Sequence, residues 1–437
     1  MIEADILIIG AGPGGYATAA KGAAAGKRVV LFERDELGGT CLNRGCIPTK
    51  ALCRSAEVAL TVAEAAEFGV SVGDIRMDYA RAAARKDEIV GQLREGVESL
   101  LQGVEVVRGD ARFSSPSVVE CSGESYTAPT IVVATGSRPA ELAIPGAELA
   151  VNSDFVLAMS ELPKSMVIIG GGVIGMEFAS IFSAFGVKVT VLEYCPEILP
   201  PFDPEIAKRL RMSMKRRGVE IVTSARVTAI TSDMTVEAEV KGKPKSFSAD
   251  MVLTAVGRRA VLPAGLEDTG IELNRGFIKV NPATMESSVK GIYAIGDANG
   301  LCLLAHAAEA QGERLLGHEV NLDVIPSAVF TSPECAMVGM TEPQAMEGGM
   351  DFKVGKATFR ANGKAMAMGE ADGLVKVLTA ADGRMLGCHI CGPHAADLIQ
   401  EAALAIASEQ PTASVVSTIH GHPTLSETLA AAARASL

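Results

Sequence analysis

Cys41 and Cys46 stand with four residues between them in GGTCLNRGCIPTK, residues 38–50. Two thiols so placed could ligate a metal, bridge two segments, sit idle, or form a redox couple. Zinc sites add further Cys or His at short spacing, and no second cluster of that kind lies nearby, so no metal is expected. In a regular helix, positions five apart differ by about 7.5 Å of rise. A disulfide needs its Cα atoms within about 7 Å. The backbone must therefore bend for the sulfurs to meet. Asn43 and Gly45 allow a distorted turn, and Pro48 suits the start of a helix. A thiol just ahead of that helix would feel its positive end and have a lowered pKa, which suits thiol–disulfide exchange.

A second reactive piece is HGHPTLSE, residues 420–427. Oxidising a dithiol needs a base for a thiol proton, and His suits that near neutral pH. Glu427 follows His422 by five residues, early in a helix that Pro423 and Thr424 could begin. It could hold the imidazole in one tautomer. His420 is the poorer candidate. A third stretch, LGCHICGPH, contains the CxxC pair Cys388 and Cys391. It is strand-like and begins no helix, so both read as core thiols.

The elements around these residues repeat. ILIIGAGPGG, residues 6–15, is an apolar strand running into Gly10-x-Gly12-x-x-Gly15. An Ala-rich helix follows, then VVLFE ending at Glu33. MVIIGGGVIG, residues 166–175, repeats the device with Gly170, Gly172 and Gly175, and its next strand ends at Glu193. In both copies the acid lies 23 residues after the first glycine. Such glycines let backbone N–H groups approach a diphosphate at a helix N-terminus, and the acid can accept from ribose hydroxyls. One such motif is weak evidence; two in register point to two dinucleotides. Glu193 is followed by Tyr194, Cys195 and Pro196 without a nearby Arg. A 2′-phosphate would meet repulsion there, so the second site favours NAD(H) over NADP(H).

TIVVATGSRP (130–139) and GIYAIGDA (291–298) read as two more strand ends of a nucleotide-binding domain interrupted by another. From about Val324 short strands (SAVFTSP, KATFR, LVKVLT, GCHICG) precede the helix DLIQEAALAIASEQ, an α+β pattern. The expected fold class is α/β: two Rossmann-like dinucleotide-binding domains plus a C-terminal α+β domain.

The bulk properties agree. The chain has 437 residues, 48% hydrophobic, and a net charge of −12. This argues against nucleic acid or an anionic membrane as partner. The most apolar stretch, Met166 to Val187, holds Glu177 and five glycines, so no membrane span is expected. The N-terminus carries Glu3 and Asp5 where a signal peptide is basic, so a cytoplasmic location is expected. There most of the nine Cys should be thiols.

Together, GGTCLNRGCIPTK, the two glycine motifs, ATGSRP, GIYAIGDA and HGHPTLSE resemble the pyridine nucleotide–disulfide oxidoreductases over nearly the whole chain, most of all the dihydrolipoamide-oxidising members. The resemblance implies an FAD domain (1–142), an NAD domain (143–258), a central domain completing the FAD site (259–323) and a dimerisation domain (324–437). It makes Cys41 the interchange thiol and Cys46 the thiol against the flavin, giving a Cys41–Cys46 disulfide when oxidised. Lys50 matches a lysine near flavin N5 and Glu177 its ion-pair partner. Glu177 lies in the apolar run IGMEFASIF, where an unpaired charge would be costly.

His422 becomes the base and Glu427 its orienting carboxylate, both supplied by the other subunit of a homodimer with a shared active site. Gly421 stands where the family usually has Ala. For FAD and NAD the cofactor-binding residues implied are Gly10, Gly12, Gly15, Glu33, Lys50, Thr135, Gly136, Asp297, Ala305, His306, Gly170, Gly172, Gly175, Glu193 and Gly257.

The expected reaction is NAD-dependent oxidation of protein-bound dihydrolipoamide through FAD. Lipoyl domains of a 2-oxo acid dehydrogenase or glycine-cleavage complex would present the substrate; no such domain is visible at the N-terminus. Glutathione-type reductases normally run on NADPH, against Glu193. Mercuric reductase needs a C-terminal Cys pair, and this sequence ends AAARASL. A non-catalytic flavoprotein subunit need not keep Cys41, Cys46, His422 and Glu427 together.

Overall fold

The structure, a computed structural model, describes residues 1–437. They form two compact units. The first gathers Met1–Ala51, Arg81–Ala140 and Gly257–Leu322; the second gathers Leu52–Ala80, Glu141–Val256 and Asp323–Leu437.

The first unit is built on a five-stranded parallel sheet, in the order Ile292–Ala294, Thr130–Val133, Ile6–Ile9, Val29–Glu33, Glu105–Arg108. Its central strands are apolar on both faces because both faces are covered. Leu7, Ile9, Val30 and Phe32 pack on one side with Phe113, Val119 and Tyr126. Ile6, Ile8, Val29 and Leu31 pack on the other with Ala19 and Leu42. Both expected strand ends are present: Thr130–Val133 runs into Gly136, and Ile292–Ala294 into Gly296–Asp297. The helix Pro13–Ala24 packs on the helix Ala305–Leu315 with little space between backbones. A Cβ at Gly14 would lie 3.1 Å from the Ala308 Cβ, and one at Gly312 would lie 1.9 Å from Thr18 Oγ1.

The second unit holds another parallel sheet, ordered Glu220–Val222, Lys188–Leu192, Ser165–Ile169, Met251–Thr254. Its strands Ser165–Ile169 and Lys188–Leu192 are joined by the helix Val173–Ala184, repeating the strand–helix–strand device of the first unit. An antiparallel five-stranded sheet follows, ordered Ser327–Val329, Glu334–Gly339, Met385–Gly392, Leu374–Ala380, Phe352–Thr358. The helices Ala395–Ala407 and Glu427–Ala435 cover one face of it through Ala336, Val338, Val375, Val377, Ile390, Ile399 and Leu429, all buried. These are the mixed α/β body and the α+β C-terminal part that the sequence pattern implies. No helix is long and apolar enough to cross a membrane.

Candidate active site

The two glycine motifs have the same local geometry. Gly10 has φ +105° and Gly170 φ +114°. Side chains are strained at these values. A Cβ at Gly10 would lie 2.4 Å from Ala134 O; at Gly170 it would lie 2.3 Å from Ala255 O. Gly15 and Gly175 press on the carbonyls of Gly10 and Gly170, at 1.9 and 2.0 Å from a built Cβ. Gly12 and Gly172 differ: each caps its helix without a side-chain cap, and nothing lies within 4 Å of the Cβ direction. Each helix therefore presents uncapped N–H groups to open space, which fits a diphosphate.

The acids close each loop. Glu33 accepts Ala11 N–H at 2.7 Å and Asp35 N–H at 2.8 Å. Glu193 accepts Gly171 N–H and Cys195 N–H, both at 2.6 Å. Both acids are buried. One carboxylate thus ties the glycine turn to the end of the following strand, and its remaining lone pairs are available for ribose hydroxyls.

Near the first glycine loop, Asp297 has partners that the sequence did not reveal. Asp297 accepts from the Ser137 hydroxyl and faces Arg258 Nε at 3.8 Å, while Arg258 donates to Ser137 Oγ at 2.6 Å. Thr135 donates to the Val261 carbonyl, and Gly136 has φ +69°. Ala305 and His306 form the first turn of their helix. Gly257 lies in the first unit, its carbonyl accepting Ala140 N–H at 2.9 Å, whereas Gly170, Gly172, Gly175 and Glu193 lie in the second.

Cys41 lies in the short helix Gly39–Arg44, and Cys46 opens the helix Cys46–Ala63. Cys46 is therefore the first helical residue, rather than a residue ahead of the helix as the position of Pro48 suggests; Pro48 falls inside the first turn. The bend lies at Gly45, with φ −147° and ψ −112°. A Cβ there would lie 2.9 Å from Thr40 O and 3.3 Å from the Cys41 Cα. This close approach brings the two thiols into a hydrogen bond with each other.

That hydrogen bond, with burial, pushes the Cys41 thiol well above its ordinary value, while the Lys50 ammonium pulls the other way. The lowering expected of a thiol at the start of the helix concerns Cys46, which opens it; Cys41 stands before the bend and shifts the other way. Tyr16 also faces this pair: burial first, then Glu309 and Cys41, raise its pKa.

Glu177 is buried and accepts Phe330 N–H at 2.9 Å. His422 Nδ1 lies 3.0 Å from Glu427 Oε1, and Glu427 Oε2 accepts Thr424 N–H at 2.9 Å. The helix starts at Glu427, so Pro423 and Thr424 form the turn before it instead of its first residues. The His422 side chain is 80% exposed, free to act on something outside its own fold. His420 is held differently, by Thr418 O and Glu401 Oε1, both at 3.0 Å, and its side chain is mostly covered.

The CxxC residues are buried core thiols. Residues three apart on a strand face opposite ways. Cys388 packs in the helix-covered core, and burial pushes it up to about 12. Cys391 is the cross-strand partner of Cys335. No group of three or more His, Cys, Asp or Glu is placed to hold a metal.

Two glycine-loop sites and a dithiol define an oxidoreductase that couples thiol exchange to dinucleotides. The pyridine nucleotide-disulphide oxidoreductase pattern matches residues 4–312, and the dimerisation-domain pattern of the same group matches 325–433. The chain belongs to this family, whose cofactors are FAD and NAD(H). It is 40% identical to a dihydrolipoyl dehydrogenase of Bacillus subtilis over 99% of this chain and 98% of that one. It is 41% identical to the dihydrolipoyl dehydrogenase of Thermus scotoductus, over 99% and 97%. Among solved structures it resembles the HOCl-induced flavoprotein disulfide reductase RclA of Escherichia coli, with TM-score 0.86, 29% identity, and 98% and 99% coverage.

Proposed function

We propose that the protein is a dihydrolipoyl dehydrogenase, oxidising protein-bound dihydrolipoamide with NAD⁺ as acceptor. The observation that carries this reading is the hydrogen-bonded pair Cys41 and Cys46 in a chain 40% identical, almost end to end, to proteins of that name. Residues 1–142 and 259–323 would hold FAD and 143–258 NAD. Residues 324–437 would form the homodimer contact.

In the oxidised protein Cys41 and Cys46 share a disulfide. A substrate thiolate attacks the Cys41 sulfur, and Cys46 leaves as thiolate. His422 of a second subunit takes the proton of the remaining substrate thiol. That thiolate attacks the substrate sulfur of the mixed disulfide and releases Cys41. The substrate has lost two electrons and two protons, one released when the first thiolate formed and one now carried by His422; the protein disulfide has become two thiolates, which give the dithiol when they take up two protons. FAD, when bound, supplies the electron-pair acceptor for the Cys46 side, and NAD⁺ the final hydride acceptor.

The exposure of His422, inside the stretch matched by the dimerisation pattern, supports its action on another subunit. Lys50 and Glu177 keep the roles the resemblance implies, as do the remaining glycines and acids of the two loops. Lipoyl domains of a 2-oxo acid dehydrogenase or glycine-cleavage complex fit as partners, and the cytoplasm as the compartment.

The likeness to RclA favours a second reading, a reductase running from reduced pyridine nucleotide to a disulfide substrate. Steady-state turnover separates the two. The first reading requires dihydrolipoamide oxidation with NAD⁺ faster than with NADP⁺. Equal or better rates with NADP⁺ overturn the Glu193 argument. Absence of dihydrolipoamide turnover alongside reduced-nucleotide-dependent disulfide reduction moves the assignment to the second.

A further inference from the structure

The segment Tyr194–Asp203 follows the acid of the second glycine loop and turns back over that loop. Leu199 N–H donates to Gly171 O at 2.9 Å, and Ile198, Leu199 and Phe202 are buried. Gly171 is packed against this segment: a built Cβ would lie 3.0 Å from the Glu193 Cβ and 3.1 Å from Ile198 Cγ2. Leu199 has φ +48°, a left-handed conformation that a leucine keeps only where its surroundings enforce it. The segment needs an anchor outside itself.

Besides Ser224 N–H, which donates to Cys195 O at 3.0 Å, two side-chain anchors lead to the helix Pro204–Arg216. Arg211 grips Glu197 through Nε at 2.7 Å and Nη2 at 3.0 Å. Asp203 caps the helix by accepting Glu205 N–H at 3.0 Å. The Asp203 carboxylate, fully buried, is in turn held by Lys376 Nζ at 3.0 and 2.9 Å. Lys376 stands on the strand Leu374–Ala380 of the C-terminal sheet and is itself 2% exposed. Glu342 at 2.5 Å and Glu205 at 3.4 Å complete its surroundings. One buried cation therefore faces three carboxylates. Glu205 also pairs with the more exposed Lys356 at 2.7 Å, so removing Lys376 would above all leave the fully buried Asp203 without its counter-ion.

We propose that Lys376 is a positioning residue for pyridine-nucleotide binding, holding the 194–203 segment, and through it the Gly171–Glu193 loop, from the C-terminal sheet by way of Asp203. This rests on the reading that the second glycine loop binds the pyridine nucleotide. It assigns the C-terminal sheet a second task besides the subunit contact.

The test uses the FAD-loaded protein and the variants Lys376→Met and Asp203→Asn, the latter keeping a helix-capping side chain. Wild type is titrated with NADH and NADPH, and amide hydrogen exchange is followed in the 195–203 segment. If the loop is competent in a tenth of Lys376→Met molecules, NADH Kd rises about tenfold, with faster exchange confined to 195–203. In single turnover, reduction of the Cys41–Cys46 disulfide by dihydrolipoamide keeps its wild-type rate. Asp203→Asn shifts Kd in the same direction by about threefold, and carries the test should Lys376→Met not fold.

Unchanged nucleotide Kd in the folded variants overturns the proposal while leaving the nucleotide reading intact. Loss of exchange protection throughout the chain, or an equal fall in the dithiol half-reaction, shows a general structural role and also overturns it. Binding of neither nucleotide by the wild type overturns the underlying reading, and the proposal with it.

Discussion

His422 Nδ1 and Glu427 Oε1 are 3.0 Å apart, and the same carboxylate takes Thr424 N–H on its other oxygen. The hydrogen bond from His422, joined by that from Thr424, holds Glu427 below the usual carboxylate range. Glu427 is therefore an anion throughout the pH range in which a thiol base would operate. In the proposed mechanism it would fix Nδ1 as the protonated nitrogen and leave Nε2 to act as the base. Glu427→Gln should lower the rate of disulfide reduction by dihydrolipoamide by about 10²–10³-fold, with nucleotide binding unchanged. Stopped-flow measurement of that half-reaction decides it. A wild-type rate would remove Glu427 from the mechanism.

How far the sequence discloses all this depends on range. The glycine loops are legible because strand, turn and acid lie within 23 residues and each type answers a local need. The His422–Glu427 couple is legible for the same reason. Lys376 is not: its partner Asp203 is 173 positions away, and a lysine in an apolar strand reads as an edge charge. His420 hides its link to Glu401 in the same way. The bend at Gly45 could be foreseen, but the Cys41 proton could not. It depends on the sulfur–sulfur contact, which spacing alone does not fix.

Gly12 and Gly172 test the two proposed dinucleotide sites separately. Alanine at either meets no atom within 4 Å, so Gly12→Ala and Gly172→Ala should change stability by no more than about 0.5 kcal/mol. The added methyl points to the space a diphosphate would fill. Gly12→Ala should lose FAD, measured as the flavin absorbance of the purified protein. Gly172→Ala should keep FAD and lose NADH binding. Gly15→Ala, whose Cβ would sit 1.9 Å from Gly10 O, should fail to fold. Retention of both cofactors by the first two variants would contradict the cradle reading.

The raised Cys41 thiol makes the reduced protein's stability pH-dependent. A thiol with its folded pKa above its unfolded value binds its proton more tightly in the folded state. Its stabilising contribution is complete below the ordinary thiol value of 9.0 and is lost as pH rises above it, toward the folded value. The Cys41–Cys46 disulfide form has no such proton. Urea midpoints of the two forms, compared from pH 8 to pH 10, should show the reduced form falling relative to the oxidised one. Parallel curves would mean that Cys41 titrates normally. Lys50 opposes the upward shift, so Lys50→Met should slow alkylation of Cys41 by iodoacetamide at a given pH, because the thiolate is the nucleophile.

Gly45 and Gly421 give opposite expectations for the same substitution. At Gly45 a methyl would lie 2.9 Å from Thr40 O and 3.3 Å from the Cys41 Cα, both backbone atoms. The helix Gly39–Arg44 must then move away from the start of the helix Cys46–Ala63, and the two sulfurs separate. Gly45→Ala should cost about 1–3 kcal/mol of stability. It should also slow closure of the Cys41–Cys46 disulfide, measured by quenching reoxidation of the reduced protein at timed intervals. At Gly421 the nearest contact is Thr424 Cγ2 at 3.5 Å, an ordinary van der Waals distance, and its φ is not left-handed. Gly421→Ala should therefore leave stability and the His422–Glu427 pair unchanged. If Gly45→Ala also closed its disulfide at the wild-type rate, the close approach at residue 45 would not be what brings the thiols together.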